Sequence, residues 1–401
     1  MQHFKVLVLG SGSGGLSVTS KLLEYLSPVH VAIVDPSPYH FYQPFWTLVG
    51  GGVGTKEETR KETKDLIPEG VTWLKVAVSK VHPEKKTVTL VNDQVVTYDF
   101  LVVATGLKLN WEKIEGLEGS LGKNGVCSIY EYDQVDYVKE CIRNLKSGVA
   151  LFIMPPTPIK CAGAPQKIMY LADSSFRQNG VRDKIHVHFA TAGKAVFGVP
   201  EFAKALDKVV KAKNIQTHFM HKLVGVDAAK KTAFFDVTDA EGKVSKKTIQ
   251  YDMLHVVPSM SAHSYVAESG LAFEDGDQKG WLAVNKFTLQ HIKYHTVFGV
   301  GDVTGIPNSK TGAAIRKQYP VVVKNIISAM NGMKLDDHYD GYSSCPLVID
   351  YGKVILAEFG YDNKLMPSFP FDQTVPRSSM WILKRWFLPV MYWYGMIKGR
   401  F

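Results

Sequence analysis

Lys5-Val6-Leu7-Val8-Leu9-Gly10-Ser11-Gly12-Ser13-Gly14-Gly15 decides the fold. Lys5–Leu9 reads as a short buried strand, and the residues after Gly15 to about Tyr25 as a helix. The glycines at 10, 12 and 15 have the G-x-G-x-x-G spacing, and a second strand, Val29–Val34, ends at Asp35, twenty residues beyond Gly15. Each part has a mechanical task. Gly10 makes the tight turn, Gly12 lets backbone meet a pyrophosphate, Gly15 lets helix pack on strand, and Asp35 takes a ribose hydroxyl. Strand, helix and acid in this order predict a dinucleotide site at the start of an α/β chain.

The bulk composition agrees with a folded enzyme-sized protein. The chain has 401 residues, 45% apolar and 21% charged, enough for two domains with a real core. Four cysteines do not make the disulfide framework of a small secreted domain. Strand-like residues begin at Phe4, so neither a secretory leader nor an Arg-rich transit peptide is expected. No run of eighteen uncharged apolar residues exists, which argues against a spanning helix. A formal charge of +9 suits anionic lipid, nucleic acid or neither, so the placement of the charge matters more than its sum.

Two later strands resemble the second and third fingerprints of flavoproteins built from two dinucleotide-binding domains: Phe100–Gly106, ending Ala104-Thr105-Gly106, and Thr296–Asp302, ending Gly301-Asp302. That resemblance implies one FAD per chain, with Asp302 on the flavin ribityl chain. A helix from about Thr311 would aim its N-terminus at the flavin and favour negative charge there, with a kink or an early end at Pro320. Between these segments, Gly116–Leu282 reads as the second dinucleotide-fold domain. Its strand Val149–Met154 and the helix Gln166–Gln178 flank Pro155-Pro156-Thr157-Pro158-Ile159-Lys160-Cys161-Ala162-Gly163-Ala164-Pro165. A phosphate-binding loop would carry glycines here. Prolines and a cysteine stand in their place, which disfavours a nicotinamide-dependent reductase. A thiol at a helix mouth beside Lys160 is expected to ionise easily, the plain alternative being a small residue buried at a turn. Cys141, on the apolar stripe of a helix within Tyr132–Lys146, and Cys127, in a strand-like stretch, read as core thiols. His186 and His188 alternate along a strand with no cysteine or acid beside them, so no metal is expected.

The segment Pro158–Lys167 is similar to the surroundings of one active cysteine in sulfide:quinone oxidoreductases, in the branch that includes the mitochondrial enzymes. Tyr39–Pro44, Phe298–Asp302, Lys310-Thr311, Tyr342–Val348 and Val354–Phe359 fit the same pattern in the same order. The resemblance implies that Cys161 and Cys345 are the redox-active pair. It also implies an FAD-binding set of Gly10, Gly12, Ser13, Gly14, Gly15, Asp35, Gln43, Val78, Ala104, Thr105, Gly106, Gly301, Asp302, Lys310, Thr311 and Gly312. Some relatives carry a third cysteine beside the aspartate, where this chain has Val303, so a two-cysteine mechanism is required. In it, hydrosulfide attacks Cys161 in a disulfide or sulfur-bridged pair, a persulfide forms there, and Cys345 donates to the flavin. Sulfane sulfur then leaves to glutathione, sulfite or sulfide, and the electrons go to a ubiquinone-type or menaquinone acceptor.

Val375–Phe401 contains no Asp or Glu but has Arg377, Lys384, Arg385, Lys398 and Arg400 interleaved with aromatics. Split by Pro389, it reads as two short amphipathic pieces lying on a membrane surface rather than on nucleic acid. The expected protein is therefore monotopic, on the cytoplasmic face of a bacterial plasma membrane or the matrix face of the mitochondrial inner membrane. A homo-oligomer is left open. Its expected fold is α/β, two Rossmann-like domains (1–115 with 283–340, and 116–282) followed by a C-terminal region, 341–401, bearing Cys345 and the membrane helices. The competing readings are a type II NADH:quinone oxidoreductase, a non-catalytic flavoprotein redox sensor and the flavin subunit of a periplasmic sulfide dehydrogenase.

Overall fold

The computed structural model describes residues 1–401 and has the mixed α/β architecture expected. Its first sheet has the order Thr72–Leu74, Val31–Val34, Gln2–Leu9, Val95–Val103, Thr87–Leu90, Val78–His82, with Val297–Gly299 alongside Val95–Val103. The Val31–Val34, Gln2–Leu9, Val95–Val103 and Val297–Gly299 strands run parallel, in the register Val8 opposite Ile33 and Val102. Their central stretches, Val6–Leu9, Val31–Val34, Leu101–Val103 and Val297–Gly299, are buried at every position, so both faces of the sheet are covered there. The first helix, Ser13–Leu22, stops short of Tyr25, and a 3-10 turn at Pro28–His30 delays the second strand to Val31.

The second sheet is wholly parallel, in the order Val126–Cys127, Met253–His255, Gly148–Met154, Ile185–Thr191, Gln216–His218. Ala164–Gln178 covers it with Ile168, Met169, Leu171 and Ala172 buried. A three-stranded antiparallel sheet, His221–Asp227, Thr232–Thr238 and Val244–Gln250, is appended to this unit. The chain returns to the first core earlier than Leu282: Ala262, Val266, Leu271 and Leu282 share an apolar cluster with the Gln2–Leu9 strand.

The hairpin Ser343–Asp350/Lys353–Phe359 lies between the two cores. Cys345, Leu347, Ile349, Ile355 and Ala357 belong to the second core, whereas Val348, Val354 and Leu356 belong to the first. Strand alternation explains the division, since neighbouring side chains leave opposite faces. Gly312–Met330 carries Pro320 in its interior and continues to Met330, so of the expected kink or early end the early end does not occur. Pro389 does not split the C-terminal segment either. Ser378–Ile382, a π-helical turn Leu383–Phe387 and Leu388–Tyr394 form one helical run, the wide turn preceding the proline that lacks an N–H.

Candidate functional site

A cavity of about 690 Å³ begins at the glycine turn. Gly10 has φ +100°, and a side chain there would meet Ala104 O at 2.5 Å. At Gly15 a Cβ would lie 1.8 Å from Gly10 O, so helix and strand could not close. Gly12 has nothing within 4 Å of its missing Cβ, and no side chain caps the Ser13–Leu22 helix. The result is an open helix N-terminus facing the cavity, suited to a phosphate. The Asp35 carboxylate accepts the Ser11 and Ser37 N–H groups at 2.6 and 2.8 Å and borders the same space.

From there the cavity passes Ala104, Thr105 and Gly106, then Gly301 and Asp302, then Lys310, Thr311 and Gly312, with Ser13, Gly14 and Gln43 also on its wall. Val78 does not line it, and Gly15 sits behind the wall. Burial raises the Asp302 pKa, and the Lys310 and Lys160 charges oppose that rise. Lys310 Nζ is fixed by donating to the Asp302 and Thr304 carbonyls at 2.8 and 2.9 Å, and burial lowers its pKa to about 8. The Thr311 hydroxyl caps the Gly312–Met330 helix by accepting from Ala314 N–H. The cradle at Gly12, the acid at Asp35 and the long continuous groove fit an extended dinucleotide.

At the far end of the groove the two distant cysteines meet. Cys161 Sγ lies 3.8 Å from Cys345 Sγ. Cys161 adopts the left-handed conformation (φ 48°), which turns the chain just before the Ala164–Gln178 helix. Its N–H donates to Lys310 O at 2.8 Å, and its carbonyl accepts from Ala164 N–H at 2.8 Å and Tyr130 O–H at 3.3 Å. Lys167 Nζ donates to Cys161 Sγ at 3.2 Å. The hydrogen bond from the Cys345 thiol, followed by the Lys167 charge, holds the Cys161 thiol well below its ordinary pKa against the effect of burial. The same contact and burial push Cys345 well above it. The two directions make Cys161 the more easily ionised thiol of the pair and Cys345 the one that keeps its proton longer.

Three partners of this site were invisible in the sequence reading. Gly163 is one, since a Cβ there would meet Cys345 Sγ at 2.6 Å. Lys167 is another; it lies on the helix six positions after Cys161, a spacing that carries no familiar signal. Lys384, grouped by sequence with the outward basic residues, is instead 2% exposed and donates to Pro44 O at 2.7 Å. Burial and the Lys167 charge lower its pKa to about 7. Its place on the same helical stripe as buried Met380 is the one cue that could have found it. The expected flank of Cys161, Lys160, turns to Gln43 Oε1 at 2.6 Å instead of the thiol. Gln43 is thereby held on the cavity wall.

Residues 4–146 match the pyridine nucleotide-disulphide oxidoreductase family. The mitochondrial sulfide:quinone oxidoreductase of Dictyostelium discoideum is 44% identical over 398 residues, 99% of this chain and 86% of that protein. Its Mus musculus counterpart is 39% identical over 397 residues, 99% and 87%. The crystal structure of the sulfide:quinone oxidoreductase of Aquifex aeolicus shares the fold, with a TM-score of 0.80 at 20% identity over 100% of this chain and 92% of that one. Likeness at this level along nearly the whole chain shows that it belongs to the sulfide:quinone oxidoreductase family.

Proposed function

We propose that this chain oxidises sulfide at the Cys161–Cys345 pair, passes sulfane sulfur to a small nucleophile, and delivers the electrons to a membrane quinone. The observation that carries the reading is the 3.8 Å thiol pair at the end of the groove that begins at the Gly10–Gly15 cradle. FAD, held by that cradle with Asp35, Thr105, Asp302 and Thr311, supplies the two-electron relay between the thiols and the quinone.

In the oxidised pair, hydrosulfide forms a bond to Cys161 Sγ as the Cys161–Cys345 bond breaks. Cys161 then carries S–SH, and Cys345 leaves as thiolate. Glutathione, sulfite or a second sulfide next attacks the outer sulfur, and Cys161 departs as thiolate. Lys167 favours that departure, since it already stabilises negative charge on Cys161. Loss of two electrons re-forms the pair. The cationic Lys167 at this end of the cavity also draws anionic substrates inward.

The C-terminal helical run supports the quinone arm. Leu383, Lys384, Leu388, Met391 and Tyr392 line the cavity. The opposite side of the same run bares Ile382, Trp386, Phe387, Val390 and Tyr394, with Phe387 63% exposed. No helix is long and apolar enough to cross a membrane. An apolar, acid-free face of this kind suits lying in the interface, one helix thickness from the cavity. The relatives named as mitochondrial support placing it at a mitochondrial membrane. Cys161→Ser and Cys345→Ser are each expected to keep the flavin and lose its bleaching by sulfide under anaerobic conditions. Full bleaching in either variant would mean that another thiol takes the sulfur.

A further inference from the structure

The C-terminal helical run also grips the glycine turn at the other end of the groove. Tyr392 lies on Leu388–Tyr394 and His40 on the short strand Tyr39–Phe41, and both side chains are buried. Their polar atoms form one chain. His40 Nδ1 lies 2.9 Å from Ser11 O, His40 Nε2 2.6 Å from Tyr392 Oη, and Tyr392 Oη 2.7 Å from Ser13 Oγ. Its direction follows from the chemistry of the groups. A carbonyl only accepts, so Nδ1 carries the proton that Ser11 O receives. Burial lowers the His40 pKa to about 4, so near neutral pH the ring has no second proton and Nε2 accepts from Tyr392 O–H. With its own hydrogen committed, the Tyr392 oxygen accepts from Ser13 O–H.

The chain therefore starts and ends on one turn, two residues apart. Ser11 is held a second time through its N–H, which donates to Asp35 at 2.6 Å. Gly12, between the serines, has nothing within 4 Å of its missing Cβ, so the serines are where this turn is fixed. Packing pins the clamp, with the Tyr42 ring 4.5 Å from that of Tyr392 and the Trp393 ring 5.7 Å from that of His40. Further along, Ser20 Oγ donates to Ile397 O at 2.8 Å, and Phe401 N–H donates to Tyr319 Oη at 2.8 Å. The end of the run thus bonds to Ser13–Leu22 and Gly312–Met330, the two helices whose first residues border the cavity.

We propose that Tyr392 and His40 are positioning residues for the cofactor: they fix Ser11 and Ser13, so that the seated C-terminal run is part of the site that retains FAD. That the retained group is FAD rests on the function proposed above; the hydrogen-bond chain does not. Removing the Tyr392 hydroxyl leaves His40 Nε2 a buried acceptor without a donor and frees the Ser13 side chain to turn, and both work against an ordered cradle. The aromatic packing survives in a phenylalanine.

The test compares the flavin-loaded full chain with Tyr392→Phe, Ser13→Ala and the double variant. FAD release is followed by the rise of flavin fluorescence after dilution, and the bound pyrophosphate by phosphorus NMR. Tyr392→Phe should release FAD about tenfold faster or more, because a buried acceptor loses its donor. The double variant should release it within about twofold of Tyr392→Phe, since both substitutions break the same bond. The pyrophosphate resonances should move in Tyr392→Phe while the visible flavin spectrum stays, a signature that loosened packing away from the phosphates would not give. Unchanged release, unmoved resonances, or losses that multiply in the double variant would each overturn the positioning role. Bound FAD that sulfide does not bleach in the natural chain would instead overturn the proposed function and leave the cradle result standing.

Discussion

Cys161 holds a backbone conformation that costs a side-chain-bearing residue about 1–2 kcal/mol, and three hydrogen bonds keep it there. That geometry points Sγ at both Lys167 and Cys345, and each contact can be removed separately. A hydrogen bond to a charged group contributes about 1.5–3 kcal/mol, so Lys167→Met should raise the ionisation midpoint of Cys161 by about one pH unit or more. Iodoacetamide alkylation of the reduced protein reads this. Its rate rises with pH as the thiol ionises, and the midpoint should lie below the ordinary thiol value in the natural protein and move upward in the variant. An unmoved midpoint would remove Lys167 from the account. Gly163→Ala places a methyl where Cys345 Sγ sits, at a site whose backbone tolerates any residue. It should keep flavin and both thiols yet slow sulfide-driven flavin reduction at least tenfold, as displacement of the pair by about 1 Å would. Glycine spacing was legible here because it reports backbone conformation. Lys167 and Lys384 were not, because a charge in a sequence does not say which face of its helix it leaves, and only packing decides whether it is solvated or turned to a sulfur.

The hairpin Ser343–Phe359 and the C-terminal helical run are the elements that close the site. The hairpin brings Cys345 to Cys161 by sending alternate side chains into two different cores. Its apolar alternation was in the sequence, but which face met which core was not, since both faces are buried. The C-terminal run was read as amphipathic, and the structure retains an apolar outer face while joining the two pieces across the π turn. A proline usually ends a helix, and here the widened turn before it absorbs the missing bond. Trp386→Ser with Phe387→Ser removes two of the most exposed apolar side chains of this run. At about 1.5 kcal/mol or more each, the pair should weaken partition into anionic liposomes about a hundredfold, measured by flotation, with thiol chemistry unchanged. Equal flotation would show that the outer face does not lie in lipid.

At the scale of the whole molecule, a dinucleotide groove in one unit ends on a thiol loop contributed by the other. The first unit was legible almost residue by residue, because its cradle is local: strand, glycine turn, helix and acid within Lys5–Asp35. Its tolerance is correspondingly small. Gly15→Ala drives a methyl into Gly10 O, at a cost of about 1–3 kcal/mol or more, and should yield folded protein with a strongly reduced flavin-to-protein absorbance ratio. The limits of the second unit were less legible, since the return near Ala262 is made by tertiary packing and carries no linker composition. What the second unit lacks is as informative as what it holds. Where a nicotinamide's phosphates would need open backbone, Pro155, Pro156 and Pro158 lead into Cys161. Anaerobic stopped-flow mixing of the flavin-loaded protein with sulfide or with NADH therefore tests the central claim most directly. Rapid loss of the oxidised flavin absorbance with sulfide and none with NADH is predicted; rapid loss with NADH and none with sulfide would contradict it.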